Sequence, residues 1–323
     1  MKNIKIGFLW CADVKNQVIF KILEKVSNSK LIITEPSKCD ILFIGSYDHE
    51  FYSLKRKIFN KALNKKIIKN FSKTFHNLDL YSLRKFKPIR IFITTEPLPL
   101  DKNISYDFGI TPFFEINSDN HLRYPLWKES LDWSEYEIDH YSSNIKRHGR
   151  KINIDNLMEP MDMKFEEKKK EMCMFTSHLN YPRDIIYKKF NKEFQLDGYG
   201  KFFDKSITNH NKSNFFKYDI LKNYKFNLCP ANTIFPGYYT QDIVESFDAS
   251  CLPITWSDQN ISEDFNKNSL VNLNDNFSEI KKCILNLKDE NYLKKFMNEP
   301  LFNEKPNLEN EFNFMKKIID VVG

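Results

Sequence analysis

What this chain lacks narrows its chemistry before anything it contains. No apolar run approaches the roughly 20 residues needed to span a bilayer. The N-terminal MKNIKIGFLW meets charge too soon for a secretory signal, so a cytoplasmic location is expected. Six cysteines (Cys11, Cys39, Cys173, Cys229, Cys251 and Cys283) are scattered with no C-x-x-C pair, which argues for reduced, buried thiols over a disulfide frame or zinc site. The dinucleotide fingerprint G-x-G-x-x-G is absent. So is D-x-D, which leaves a metal-held diphosphate without an obvious ligand pair. The seven histidines show no metal spacing and no Ser or Cys nucleophile motif occurs, so no metal or cofactor is expected.

What is present describes a globular protein of two domains. A length of 323 residues is long for a single core. Hydrophobic residues at 41%, with 29 Phe among them, are enough to fill two. Charged residues at 28% and a mean hydropathy of -0.54 fit a soluble chain. A formal charge of +6 is compatible with a diphosphate-bearing substrate, an acidic glycan or an anionic membrane surface. The clearest basic cluster, residues 54–75, carries eight Lys/Arg and no acid around an apolar stripe of Ile58, Ala62, Leu63 and Ile67. It reads as a solvated helix face, with peripheral contact to the inner membrane surface or to an anionic acceptor as the other reading. A nucleic-acid partner is not expected, because the basic excess is local and no recognition motif accompanies it.

Short apolar runs alternate with helical segments along the chain. IKIGFLW, KLIIT, CDILFIGS, IRIFITT and YDFGITPF make the first series, with a helix near residues 18–27. EMCMFTS, QLDGYG, KFNLCPA, CLPITW and SLVNL make the second, with helices near 183–194, 218–224, from about 241, 277–297 and 309–322. Such alternation argues for parallel sheets covered by helices. Residues 127–170 show no convincing periodicity and read as the interdomain connection, giving an N-terminal domain of 1–160 and a C-terminal domain of 161–323. The expected fold is α/β: two Rossmann-like domains facing a cleft, the architecture of GT-B glycosyltransferases and of other two-domain α/β proteins.

Three places could carry chemistry. Arg183 follows a strand and a polar loop and opens an amphipathic helix, where a guanidinium adds to the free N–H groups of the helix start to make a diphosphate site. The alternative is a surface arginine capping its own loop. In YKFNLCPANTIFPGYYTQDIVESFDASCLPITW, residues 224–256, strand, loop, helix and strand follow closely, the unit that presents a helix N-terminus to phosphate. Glu96 ends an apolar strand, fixed by Pro97; a carboxylate there serves as a general base or as an ordinary loop acid.

These segments resemble the α1,3/4-fucosyltransferases, glycosyltransferase family 10. The family's strand end in Ser and its helix-opening Arg match Ser177 and Arg183. Its KFxLxFENSxxxxYVTEKI matches Lys225, Phe226, Leu228, Asn232, Tyr238 and Thr240 in KFNLCPANTIFPGYYTQDI, while Gln241 and Asp242 stand where the family has Glu and Lys. Its YTGEN strand end followed by DYAIGFD resembles TTEP, with Glu96, and YDFG at 106–109; RYLRMPLY resembles HLRYPLW. The resemblance implies an inverting, metal-independent transferase that moves fucose from GDP-fucose to a hydroxyl of a surface glycan such as lipopolysaccharide, lipid-linked acceptors and protein glycosylation included. Glu96 would be the base. Ser177, Arg183, Lys225, Asn232, Tyr238, Thr240, Gln241 and the helix start before Ile243 would hold the nucleotide sugar. Asp242 is the departure: an anion for a phosphate-facing cation loses a charge-assisted bond of about 1.5 to 3 kcal/mol and adds repulsion. Either it points away and caps the helix, or another lysine substitutes, or the donor differs. The alternatives are a family 10-like transferase with another nucleotide sugar and a non-catalytic glycan- or nucleotide-binding protein on the same fold.

Overall fold

The computed structural model describes residues 3–9, 11, 14–45, 88–97, 106–114, 116, 118–161, 165–203, 216–273 and 279–322. The basic segment 54–75 lies outside them. The chain forms two compact units, each with its own parallel sheet. One comprises Met1–Thr111, Ile116–Tyr124 and Glu309–Gly323, and the other Pro112–Glu115 and Pro125–Leu308.

In the first unit β1 (Ile4–Leu9), β2 (Leu31–Ile33), β3 (Ile41–Gly45), β4 (Ile89–Ile93), β5 (Phe108–Thr111) and β6 (His121–Arg123) lie in the order β2-β1-β3-β4-β5-β6, all parallel. Strand β3 is buried along its whole length, which is why it reads as a continuous apolar run and not an alternating one. Helix α1 (Val18–Val26) buries Val18, Ile19, Phe20, Ile22 and Leu23, the stripe expected of a helix laid on a sheet. Phe8 joins the two layers, its ring centroid 5.6 Å from Phe43 and 5.7 Å from Phe20. The C-terminal helix, Glu309–Val322, packs on α1 and sets Phe314 edge-on to Phe108 at 5.7 Å.

The second unit begins well before the boundary expected from the sequence. Residues from Pro125 onward belong to it, whereas the sequence reading divided the chain at 160 and 161. Trp127 explains the difference: its ring lies 5.1 Å from Phe302 and 5.6 Å from Phe265, and its Nε1 donates to Asp264 at 2.7 Å. Packing of this kind follows no helical or strand period, so the pattern alone reads as a connection. The stretch also holds two short helices, α2 (Ser143–His148) and α3 (Ile154–Met158). The C-terminal helix, placed with the second domain on sequence order, packs instead in the first unit.

The second sheet runs in the order β11-β10-β9-β7-β8, again all parallel: β7 (Lys170–Phe175), β8 (Leu196–Tyr199), β9 (Tyr224–Leu228), β10 (Leu252–Thr255) and β11 (Val271–Asn272). Its connections carry α4 (Arg183–Phe190), α5 (Lys217–Leu221) and α6 (Asp242–Asp248). Helices α7 (Ile280–Asn286) and α8 (Glu290–Lys294) follow. The chain leaves β7 toward β8 on one side and leaves β9 toward β10 on the other. The carboxyl ends of neighbouring β7 and β9 therefore form a topological switch point, where open α/β sheets bind ligands. All six cysteines are free thiols, four of them buried, and no described helix is long and apolar enough to cross a membrane.

Candidate active site

The loops that leave β7 and β9 are tied together by one side chain. Arg183, the first residue of α4, donates from Nε to the carbonyl of Pro230 at 3.1 Å and from Nη1 to Thr176 Oγ1 at 3.4 Å. Thr176 belongs to the loop after β7 and Pro230 to the loop after β9, so the guanidinium spans the switch point itself. Thr176 is fixed in turn, since its hydroxyl donates to His178 O at 2.8 Å. Gly200 approaches it so closely, at φ 98°, that an added Cβ would stand 2.6 Å from the Thr176 carbonyl. Ser177, which the resemblance implies for donor binding, is exposed; the contact to Arg183 is made by Thr176, one residue earlier.

The loop from Cys229 to Gln241 returns to α6 through a turn at Gly237, φ 88°, where Tyr238 N donates to Phe235 O at 3.0 Å. Asn232 is exposed on this loop, while Tyr238, Thr240 and Gln241 are buried at its end. Gln241 is 6% exposed, and its side-chain carbonyl Oε1 has no hydrogen-bond partner among the described residues. An orphaned buried acceptor is costly unless a ligand donates to it, and a sugar hydroxyl is such a donor. Lys225 stands apart. It is the second residue of β9, three residues and about 10 Å of strand before the carboxyl end.

Asp242 has company that no local pattern announces. Its carboxylate accepts from Lys217 Nζ and from Thr240 Oγ1, the latter at 3.2 Å. Lys217, with a side chain 2% exposed, also donates to Glu245, one turn along α6. Arg147 Nη2 reaches Glu245 Oε1 at 3.5 Å, and Arg150 Nε reaches Asp248 at 2.9 Å, with His148 Nε2 2.8 Å from the same Asp248. Asp242, Glu245 and Asp248 recur at three-residue spacing and share one side of α6, which is gripped by cations from α2, α5 and the loop after α2. Burial alone would raise the Asp242 carboxyl, but Lys217 and then Arg147 outweigh it, aided by Arg183, and bring its pKa down to about 2. Residue 242 therefore carries a firm anion that is already neutralised from within. Helix α6 is held to its strand as well: Asn227 of β9 donates to Ser246 Oγ at 2.7 Å.

Local geometry explains how Arg147 and Lys217 come together. Ser142 caps α2 through Ile145 N, and Gly149 closes it at φ 99°. A Cβ on Gly149 would fall 2.3 Å from the Phe216 ring, so glycine lets the end of α2 sit against the residue that precedes Lys217.

Glu96 lies in the first unit, three residues beyond the end of β4 and half-buried; its backbone N–H donates to Thr94 Oγ1 at 3.1 Å. The turn so formed fixes the backbone and leaves the carboxylate outside it. Among the described residues no group of three or more His, Cys, Asp or Glu is placed to hold a metal.

Two α/β units, each with its own parallel sheet, match the GT-B fold, and one of them carries a braced switch point beside a helix start. Residues 165–303 match the sequence profile of the family described as glycosyltransferase family 10 (fucosyltransferase) C-term, which bears out the resemblance read from the motifs. The chain is 26% identical over 258 residues to the alpha-(1,3)-fucosyltransferase FucT of Helicobacter pylori, across 72% of this chain and 53% of that protein. A putative fucosyltransferase of Acanthamoeba polyphaga mimivirus is 25% identical over 233 residues, across 67% of this chain and 34% of its own length. The chain thus spans about half and about a third of these curated relatives. A crystal structure of an alpha1,3-fucosyltransferase superposes with a TM-score of 0.67 at 22% identity, covering 98% of this chain and 90% of the other. The same is true of one with GDP-fucose, at 0.65 and 21%, covering 99% and 91%, and these likenesses place the fold.

Proposed function

We propose that the protein is an inverting α1,3/4-fucosyltransferase that moves fucose from GDP-fucose to a hydroxyl of a surface glycan, lipopolysaccharide being the expected acceptor class. One observation carries the reading: Arg183 clamps the ends of β7 and β9 at the switch point, where the neighbouring loop ends in an orphaned acceptor on Gln241. A guanidinium at that crevice suits a diphosphate, and the amide carbonyl suits a hydroxyl of ribose or sugar. The named relatives support the donor, since one solved structure of the same fold holds GDP-fucose.

In this reading the Glu96 carboxylate takes the proton of the acceptor hydroxyl. The acceptor oxygen bonds to fucose C1 as the bond from C1 to the phosphate oxygen breaks, and GDP leaves with that electron pair. Arg183 stabilises the charge that gathers on the diphosphate. Asn232, Tyr238, Thr240 and Gln241 position the nucleotide sugar. The absence of a D-x-D pair is the basis for a metal-independent reaction. A cytoplasmic enzyme, in peripheral contact with the membrane through residues 54–75, is the proposed setting.

The test is GDP release from GDP-fucose with Gal/GlcNAc acceptors, together with NMR of the product's anomeric centre. Acceptor-dependent release and an inverted centre are expected, and no turnover with any GDP-sugar overturns the proposal. Asp242 favours a second reading. Because the anion at this position is locked to Lys217 and presents no cation to phosphate, a binding protein that takes sugar nucleotide without transferring it has a physical basis. Binding with no transfer across an acceptor panel is its signature.

A further inference from the structure

The cation that the resemblance implies at residue 242 is missing, and Lys217 does not replace it. Lys217 is buried and already donates to two carboxylates, Asp242 and Glu245, so its charge is spent inside the protein. Arg147 is different. Its side chain is 38% exposed, and its contact with Glu245 is 3.5 Å, at the outer limit of a hydrogen bond. Its Nε, a buried atom, has no hydrogen-bond partner among the described residues. Glu245 keeps Lys217 whatever Arg147 does. The guanidinium thus has donors to spare and a partly open face.

Its position is also apt. The Asp242 carboxylate lies within charge reach of Arg147 on one hand and Arg183 on the other, and it directly follows Gln241 with its orphaned acceptor. Two guanidinium groups therefore act on the residue that opens α6: Arg183, anchored on the loops after β7 and β9, and Arg147 of α2, anchored on Glu245 one turn along α6. We propose that Arg147 is the second diphosphate-binding cation of this protein, meeting the phosphates opposite Arg183 and replacing the lysine absent at 242. Asp242 then acts as a positioning residue: it holds the cations near one another while the ligand is absent. A planar fork suits the task, because two N–H groups can meet two phosphate oxygens while the stem stays beside α6. The inference rests on the nucleotide-sugar reading above.

The experiment compares GDP with guanosine, which lacks the phosphates, on wild type, Arg147→Ala and Arg147→Lys. Calorimetry reads GDP, and saturation-transfer NMR, which reaches millimolar affinities, reads guanosine. Loss of a charge-assisted contact should weaken GDP by about ten- to a hundredfold in Arg147→Ala and leave guanosine unchanged. Arg147→Lys keeps the charge and loses the fork, so it should fall between the two. Equal weakening of GDP and guanosine would make Arg147 a structural counter-ion of Glu245 and overturn the inference. Unchanged GDP affinity in Arg147→Ala would also overturn it while leaving the nucleotide-sugar reading standing. Failure of wild type to bind GDP would remove both.

Discussion

Glu96 and Asp242 both stand beyond the carboxyl end of an apolar strand in a parallel sheet, and the two are held in opposite ways. Asp242 is met by Lys217 and Thr240, felt by Arg147 and Arg183, and shares its helix side with two more neutralised acids. Among the described residues Glu96 is held through its backbone, by the N–H to Thr94 Oγ1, in a turn that does not engage the carboxylate. An acid whose lone pairs are consumed by buried cations is an architectural part. An acid whose backbone is fixed and whose oxygens are not is suited to receive a proton. Under the proposed function that difference would separate a structural carboxylate from a catalytic one on a chain with 43 acids, where residue type alone does not.

The sharpest way to break the comparison is to exchange the consequences. Glu96→Gln should lower the rate of fucose transfer by about 10² to 10⁴-fold, the usual worth of a general base, with GDP affinity and unfolding midpoint unchanged. Loss of GDP binding in that variant would move Glu96 to the architectural side. Lys217→Met should do the reverse. Removing it takes away the buried cation that Asp242 and Glu245 share, and breaking a buried pair from one side costs about 3 to 5 kcal/mol, readable as a lower midpoint in urea. Stability equal to wild type would mean the cluster is not the brace described here.

The smallest effect is the most specific. The Asp242 carboxyl lies below its ordinary 3.8, at about 2, so its stabilising contribution is complete above pH 4 and is lost as pH falls through 2. Wild type should therefore exceed Asp242→Asn by about 2 kcal/mol near neutrality, a margin that shrinks between pH 4 and pH 2. A margin independent of pH over that window would show that Lys217 does not hold the carboxylate ionised.

Much of the fold was legible because continuous apolar runs such as ILFI in β3 and MCMF in β7 have few alternatives to buried parallel strands. The motif around Arg183 and the loop to Gln241 were read through the family resemblance, which short contiguous segments can carry. What stayed hidden was non-local. Lys217 meets Asp242 from 25 residues away and Glu245 from 28, and Arg147 meets Glu245 from 98, so no spacing rule connects them. Trp127 and its aromatic partners hide residues 125–160 in the second unit without any period to betray them. Thr176, the partner of Arg183, had no sequence signal of its own, because it lies beside Ser177 with a similar hydroxyl. Asp242 itself was visible as a departure, but its meaning required the lysine that meets it.

In the proposed reading the switch point between β7 and β9 seats guanosine diphosphate. The most direct measurement is a thermal-shift screen of GDP, UDP and CMP and their sugars on wild type and on Arg183→Ala. Ligand at about 100 times its Kd stabilises by about 2.7 kcal/mol, which should raise the wild-type midpoint by about 5 °C with GDP or GDP-fucose alone and leave Arg183→Ala far less shifted. Equal shifts with UDP or CMP ligands, or a GDP shift that survives in Arg183→Ala, would contradict it.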